Sequence, residues 1–386
     1  MRILHTGDWH VGKKLGRIDR APEAEAVLDE VVAIAADEDV DAVLVAGDLF
    51  DRAAPPLPYL SLVLEALRRL ADGGRHVVVI PGNHDSPELM RVLGPLLAGI
   101  GVLVVHKPLA PEAGGVVTVP ARDGSMAARV ACLPFVHEAQ VIDVMDAPAE
   151  GYKSYADRIR ALTSHYARWM VARPQAKTAD LLMGHFMVHG AVPSGTEREL
   201  HIGDAYMATA DAIPSEIKYA ALGHIHKAQD APGSAVPARY CGSLLQLDFG
   251  EAGQEKSICV VDVPHGMKPA TARCVPLTSG RRLLKVTGTI DELTARATEF
   301  GDAILDVSVV TDGPAPGLAD EVRTLLPHAL YVRAAWERAE VAETTREGKT
   351  LQELYADYYQ ERHAAAPPQE LMHAFEDLLD RVGVEL

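Results

Sequence analysis

The chain has 386 residues, enough for two or three domains and a large core, and its 48% apolar and 24% charged residues are ordinary for a folded protein. Its 37 Lys and Arg against 54 Asp and Glu leave a net charge of −17, and only 5% of residues are aromatic. That balance argues against a general coat for nucleic acid or anionic membrane, and against a row of stacking rings for single strands.

The N-terminus reaches Asp8 before any apolar signal region can form, so no export is expected. Arg2–Gly7 reads as a short buried strand, and Pro22–Asp39 carries Val27, Leu28, Val31, Val32, Ile34 and Ala35 at helical spacing. Asp41–Ala46 is a second strand, Leu57–Leu70 an amphipathic helix, and His76–Ile80 a third strand ending at Pro81-Gly82. This βαβαβ series predicts an α/β fold with a mostly parallel sheet, whose chemistry belongs at the carboxyl ends of the strands. The longest uncharged apolar run, Leu93–Val105, has 13 residues broken by Pro95 and three glycines. It falls short of the ~20 that span a bilayer, so no membrane partner is expected.

Short strands follow at 102–106, 116–119 and 128–133, then a helix at 152–172 and strands at 179–184, 219–223 and 257–263. Near 280 the pattern restarts as a second, smaller βαβαβ-like run to 338. Beyond Thr345 the chain is helical and charged, broken at Pro367-Pro368, and ends in a helix over Gln369–Val382 with Leu371, Phe375, Leu378 and Leu379 on one face. That stripe is a candidate docking face for a partner, the alternative being packing on its own domain. The expected domains are 1–275, 280–338 and 345–386. Cys132, Cys241, Cys259 and Cys274 form no CxxC pair, which points to reduced thiols in a cytoplasmic protein without structural zinc.

Five clusters carry potential chemistry: Asp8-Trp-His10, Gly47-Asp48-Leu-Phe-Asp51, Gly82-Asn83-His84-Asp85, Gly184-His185 and Gly223-His224-Ile-His226. In extended chain, Asp8 with His10 and His224 with His226 would each point the same way. The preceding glycines let the chain turn without crowding. Carboxylate, imidazole and amide oxygen without thiolate suit Mn²⁺, Fe²⁺, Co²⁺ or Zn²⁺. Seven candidate ligands exceed what one open site needs, and Asp48 is the natural bridge between two ions ~4 Å apart. Such a pair can activate water and neutralise a phosphate ester, which predicts phosphoester hydrolysis.

The order D-x-H, G-D-x-x-D, G-N-H-D, G-H, G-H-x-H resembles the calcineurin-like metallophosphoesterases. The stretches Asp8-Trp-His-Val-Gly12, Ala221–Gln229, Tyr240-Cys-Gly-Ser243 and Asp248-Phe-Gly-Glu251 make the chain similar to the nuclease subunits of double-strand-break repair complexes. The resemblance implies a four-layer α/β/β/α sandwich with a small α/β cap facing DNA and a helical C-terminal arm. It also implies two divalent ions per chain, with Mn²⁺ favoured. Asp8, His10, Asp48 and His226 would hold one, and Asp48, Asn83, His185 and His224 the other. His84 would serve the leaving oxygen as general acid, with the Asp51 carboxylate holding it as imidazolium.

The implied partners are DNA and a coiled-coil ABC ATPase, with a homodimer of the nuclease inside a heterotetramer. The implied activity is ATP-dependent double-strand exonuclease and single-strand or hairpin endonuclease cutting, in repair, recombination and replication. Lys13, Lys14, Arg17 and Arg20 follow the first motif and are candidate phosphate contacts, or else a solvated loop. His189 and Arg198 are candidate substrate contacts near His185. The rival readings are a small-substrate phosphodiesterase or phosphatase of the same fold, and a scaffold that lost catalysis.

Overall fold

The computed structural model describes residues 1–137, 154–197, 206–266, 268–313, 315–336, 350–363 and 365–382. Two six-stranded sheets organise it. In the first, Arg2–Thr6, Ala42–Val45, His76–Val79 and Val102–Val104 run parallel, as the alternating strands and helices predict, while Ser257–Asp262 and Thr271–Pro276 extend the other edge antiparallel. The second is ordered Gln229–Asp230, Ala238–Tyr240, Tyr219–Gly223, Thr178–His185, Ala127–Leu133 and Val116–Pro120.

Side-chain alternation assigns each strand face to a layer. Ile3, Ala42, Leu44 and Val78 of the first sheet meet Ala128, Val130, Leu181 and Tyr219 of the second in one buried core. Leu4, Val43, Val45, Val77 and Val79 face the opposite way, onto the helices Ala21–Asp37, Leu57–Ala71 and Pro87–Ala98. Ala131, Leu182 and Leu222 of the second sheet pack on Ile159, Leu162 and Tyr166 of the helix Tyr155–Val171. The result is four layers, α/β/β/α. Arg129 crosses the outer face of the second sheet to grip Asp180 at 2.6 and 2.7 Å, so this buried charge is paired in bidentate fashion.

A three-stranded sheet of Leu283–Gly288, Ile304–Val310 and Ala329–Ala335 completes the ordered α/β part. It shares a core with the rest through Leu15, Phe249, Leu283, Ile304 and Leu330. By contacts, residues 1–309 and 317–333 form one unit, and 310–316 with 334–386 a second. In the second unit the helices Leu351–His363 and Gln369–Val382 face each other through stacked rings of Tyr355 and Phe375, 4.2 Å apart. Leu371 is half-buried, Leu378 is exposed, and the Leu379 side chain lies outside the described residues. Among the described residues no helix is long and apolar enough to cross a membrane.

Ile304 is fully buried where the three-stranded sheet meets its neighbours. Ile304→Ala is expected to cost about 2–5 kcal/mol through the cavity it leaves. Hydrogen exchange should then accelerate across 283–335 while strand Arg2–Thr6 keeps its protection.

Candidate metal centre

The candidate ligands come together from both sheets. Asp8 and His10 follow the first strand, Asp48 the second and Asn83 the third, whereas His185 ends one strand of the second sheet and His224 and His226 follow its neighbour. Each of these side chains, and His84, is at most 9% exposed. Oxygen and nitrogen atoms of Asp8, His10 and His226 lie within 4.8 Å of one another, as do those of Asp8, Asp48 and His185, and those of His10, Asp48 and His84. Asp48 Oδ2 lies 3.6 Å from His10 Nε2 and 3.4 Å from His185 Nε2, between the two groups. Asn83 Oδ1 is 3.0 Å from both His185 Nε2 and His224 Nδ1.

The backbone here is not the extended chain expected from the D-x-H and H-x-H spacing. Asp8, His10, Asp48 and His224 have φ of 49°, 46°, 54° and 92°, in the left-handed region that non-glycine residues seldom occupy. Sharp turns, rather than strand alternation, aim their side chains at one place. The flanking glycines avoid crowding, as expected. Gly47 has φ of 92° and also needs its freedom, while Gly82 and Gly223 serve close approach. A Cβ on Gly82 would collide with Asp48, and one on Gly223 with the Ala46 carbonyl.

The donor set fits divalent cations. His10 and His226 face each other through Nε2 at 3.0 Å, both buried, and two facing lone pairs have at most one proton between them unless a cation takes both. The outward nitrogens of His185 and His226 are anchored. His185 Nδ1 donates to the Ala46 carbonyl at 2.6 Å, which turns its Nε2 toward Asp48 and Asn83. His226 Nδ1 meets the Glu251 carboxylate at 3.2 Å and the Thr196 hydroxyl at 2.6 Å. A carboxylate behind a ligating imidazole fixes its tautomer and raises its basicity.

Charge is crowded here. Burial pushes the Asp8 carboxyl up to about 6, against the pull of His185 and His226. Burial also works against charge on His185 and Asp48, but their mutual attraction wins, raising His185 to about 9 and holding Asp48 well below the usual carboxylate range. Burial and the neighbouring His226 keep His10 far below the ordinary imidazole value. A cation bound among these nitrogens would displace their protons.

Two expectations are corrected. The Asp51 carboxylate does not hold His84: the contact is from His84 Nδ1 to the Asp51 backbone carbonyl, at 2.9 Å. The carboxylate turns instead to Lys13 Nζ at 3.4 Å, with His10 Nδ1 at 4.0 Å. Arg20 is not a substrate contact. It is 2% exposed, paired with Glu23 at 2.6 Å and bonded to the Gln246 carbonyl. Lys14 and Arg17 are exposed on the small hairpin Lys14–Leu15/Ile18–Asp19, and His189 is exposed. Arg198 lies outside the described residues.

Three buried carboxylates went unassigned in the sequence. Asp85 accepts from the backbone N–H of Leu49, Phe50 and Gly82 at 3.0–3.1 Å, tying the Asp48 loop to the Asn83 loop; burial and Asp48 push it up to about 7. Glu197 accepts from the N–H of His226 and of Ser194, Gly195 and Thr196. Glu251 is fully buried; burial opposes its charge, but His226 and Lys256, the latter at 2.6 Å, hold it below the usual range. The Asp248–Glu251 stretch stood out in the sequence, yet its role required the fold.

Residues 1–228 match the family described as calcineurin-like phosphoesterase, which defines the class of protein this fold and site belong to. Over its whole length the chain is 31% identical to SbcD, a component of the nuclease SbcCD, from Bacillus subtilis (strain 168), and 31% identical to SbcD from Escherichia coli (strain K12), covering 99% of each. SbcD from Rhodobacter capsulatus is 33% identical over 72% of this chain and 69% of its own. The chain therefore belongs to the SbcD family of nucleases, metal-dependent hydrolases of phosphodiester bonds.

Glu251→Gln is expected to weaken divalent-metal binding about 10–100-fold, read by isothermal titration, because His226 loses its charged anchor. Arg20→Ala leaves Glu23 without its cation and is expected to cost about 3 kcal/mol in urea unfolding. KM for a phosphodiester substrate should stay at the wild-type value, whereas a substrate contact would raise it.

Proposed function

We propose that this chain is the nuclease subunit of an SbcCD-type complex, a Mn²⁺-dependent phosphodiesterase that cuts DNA as an ATP-dependent double-strand exonuclease and a single-strand or hairpin endonuclease. The observation that carries this reading is the convergence of seven buried donors and His84 where the two sheets meet. In this reading Asp8, His10, Asp48 and His226 hold one ion, Asp48, Asn83, His185 and His224 hold the other, and Asp48 serves both. Two bound cations would neutralise the phosphodiester and activate water at neutral pH.

His84 is the group placed to give a proton to the departing oxygen. Its Nδ1 is engaged by the Asp51 carbonyl, which fixes the tautomer of the ring, and Nε2 is the nitrogen that would give the proton. Its backbone N–H donates to Asp48 at 2.8 Å, so the acid and the bridging carboxylate keep a fixed spacing. Lys13, Lys14 and Arg17 are proposed phosphate contacts, and His189 and Arg198 are proposed substrate contacts.

The reading assigns 1–275 to catalysis, 280–338 to a DNA-facing cap and 345–386 to an arm that docks an SbcC-like coiled-coil ABC ATPase. The exposed Leu378 on the amphipathic helix Gln369–Val382, with Leu371 half-buried beside it, supports the docking role. Phe375 would contribute through the face that it shares with Tyr355. A homodimer within a heterotetramer gains support from Leu57, Val92, Leu96 and Ile100, large apolar side chains exposed on and beside the helices Leu57–Ala71 and Pro87–Ala98.

The test is cutting of hairpin and blunt duplex DNA with and without the ATPase, ATP and Mn²⁺. Chelation should stop hydrolysis and Mn²⁺ restore it. Asp48→Ala should lose both activity and most bound metal, whereas His84→Ala should lose about 10²–10⁴-fold in rate while keeping its metal. Metal loss in the His84 variant would make His84 a ligand and overturn its assignment as the acid. Truncation before Thr345 should preserve Mn²⁺-dependent hydrolysis of a small phosphodiester and abolish ATPase binding with ATP-stimulated duplex cutting, measured by pull-down and nuclease assay.

A further inference from the structure

Cys259 and Cys274 are partners in register across the antiparallel strands Ser257–Asp262 and Thr271–Pro276. Directly opposed residues in such a pair have Cα atoms about 4.5–5.5 Å apart, within the span a disulfide bridges. Both side chains lie on one face. Cys259 belongs to the core between the two sheets, and Val275, next to Cys274, packs on the opposite, helix-covered core. Cys274 therefore turns toward the same side as Cys259. The two differ in access: Cys259 is fully buried, whereas Cys274, on the edge strand of its sheet, is exposed. No disulfide joins them.

The surroundings of Cys274 favour a thiolate. The neighbouring Cys259 thiol, against the opposing effect of burial and helped by the Arg239 guanidinium of the second sheet, lowers the Cys274 thiol to about 6. Arg239 Nε is buried and makes no hydrogen bond, although Nη1 is spent on Asp230 at 2.6 Å. Burial pushes Cys132 and Cys241 the other way, and the neighbouring Cys274 together with burial pushes Cys259 up as well, so Cys274 is the cysteine poised to react first and Cys259 acts only through its position opposite it.

We propose that Cys274 and Cys259 form an oxidative modification site, in which a hydroperoxide oxidises Cys274 and Cys259 resolves it as a cross-strand disulfide. The Cys274 thiolate attacks the terminal peroxide oxygen, the O–O bond breaks, and the alkoxide or hydroxide leaves with a solvent proton; Cys274 becomes a sulfenic acid. Cys259 then gives up its thiol proton and attacks the Cys274 sulfur. The S–O bond breaks, hydroxide takes that proton and leaves as water, and an S–S bond forms. Two electrons pass from the two thiols to the peroxide, and a dithiol reductant reverses the change. The bond would pin the edge strand Thr271–Pro276, the last strand before the three-stranded sheet.

The experiment uses the full chain, reduced and then exposed to hydrogen peroxide at neutral pH, with a non-reducing digest read by mass spectrometry. A peptide joining Cys259 to Cys274, lost on adding dithiothreitol, is the expected result. In the untreated native protein Cys274 should be alkylated roughly tenfold or more faster than Cys132 or Cys241. In Cys259→Ser, dimedone should trap a sulfenic acid on Cys274. The proposal is overturned if oxidised wild-type protein yields no such peptide, if Cys274 pairs with a second chain instead, or if its alkylation is no faster than that of Cys132. The first and third readouts need no variant, so a substitution that disturbs folding cannot mask failure.

Discussion

The candidate centre depends on how closely the carboxyl ends of two separate sheets are brought together. His185, from the second sheet, donates to the carbonyl of Ala46 in the first, and the N–H of His224 donates to both oxygens of Asp8 at 2.9 and 3.2 Å. The contact between His185 and Ala46 leaves no room for side chains at Gly47 or Gly223. Around them Asp8, His10, Asp48 and His224 hold left-handed backbone conformations, which cost on the order of 1–3 kcal/mol each and persist only where the surroundings over-determine them. The strain falls on the residues whose side chains must converge, and the ordinary strands behind them supply the rigid mount.

The buried carboxylates divide into braces and donors according to how their lone pairs are used. A carboxylate has about four acceptor sites. Asp85 spends three on backbone N–H groups, and Glu197 is occupied by the N–H groups of 194–196 and His226. Glu251 accepts from Lys256, His226, Thr196, Ser243 and the N–H of Leu247. Asp48 instead receives one backbone N–H, from His84, with two imidazoles at 3.4–3.6 Å. Its remaining capacity points inward. Identical chemistry thus serves two purposes, and the distinction lies in how much of each carboxylate's acceptor capacity its neighbours already fill.

That distinction marks what the sequence could and could not reveal. Histidine, asparagine and aspartate beside glycine at strand ends are unusual enough that all eight central residues were legible, and the apolar stripe of the helix Gln369–Val382 predicts the same bounds as observed. The two sheets were legible only as strands, since nothing local states which strands pair. Roles carried by the backbone were invisible: Asp51 meets His84 through its carbonyl, an atom every residue possesses. Arg20 sits among cations in sequence but beside Glu23 and the Gln246 carbonyl in space, and only folding brings position 246 there. Helical spacing makes Phe375 one of four members of an outward stripe, whereas its ring stacks on Tyr355, twenty residues earlier.

A chain with net charge −17 that hydrolyses phosphodiesters faces a repulsion only local features can overcome, since screening confines charge effects to ~8 Å at physiological ionic strength. On the proposed reading the hairpin Lys14–Leu15/Ile18–Asp19 is such a feature. It begins four residues after His10, and Leu15 is buried with Phe249, Leu283, Ile304 and Leu330, so the exposed Lys14 and Arg17 stand on an anchored turn. Tyr59 fixes the other strand of the hairpin through Asp19 at 2.8 Å. Cations on a mobile loop would lose side-chain and backbone entropy on meeting a phosphate; on this hairpin the backbone part of that loss is already met by folding. The small three-stranded sheet, by supplying Leu283, Ile304 and Leu330 beneath Leu15, therefore contributes to the geometry around the metal centre without placing a side chain in it.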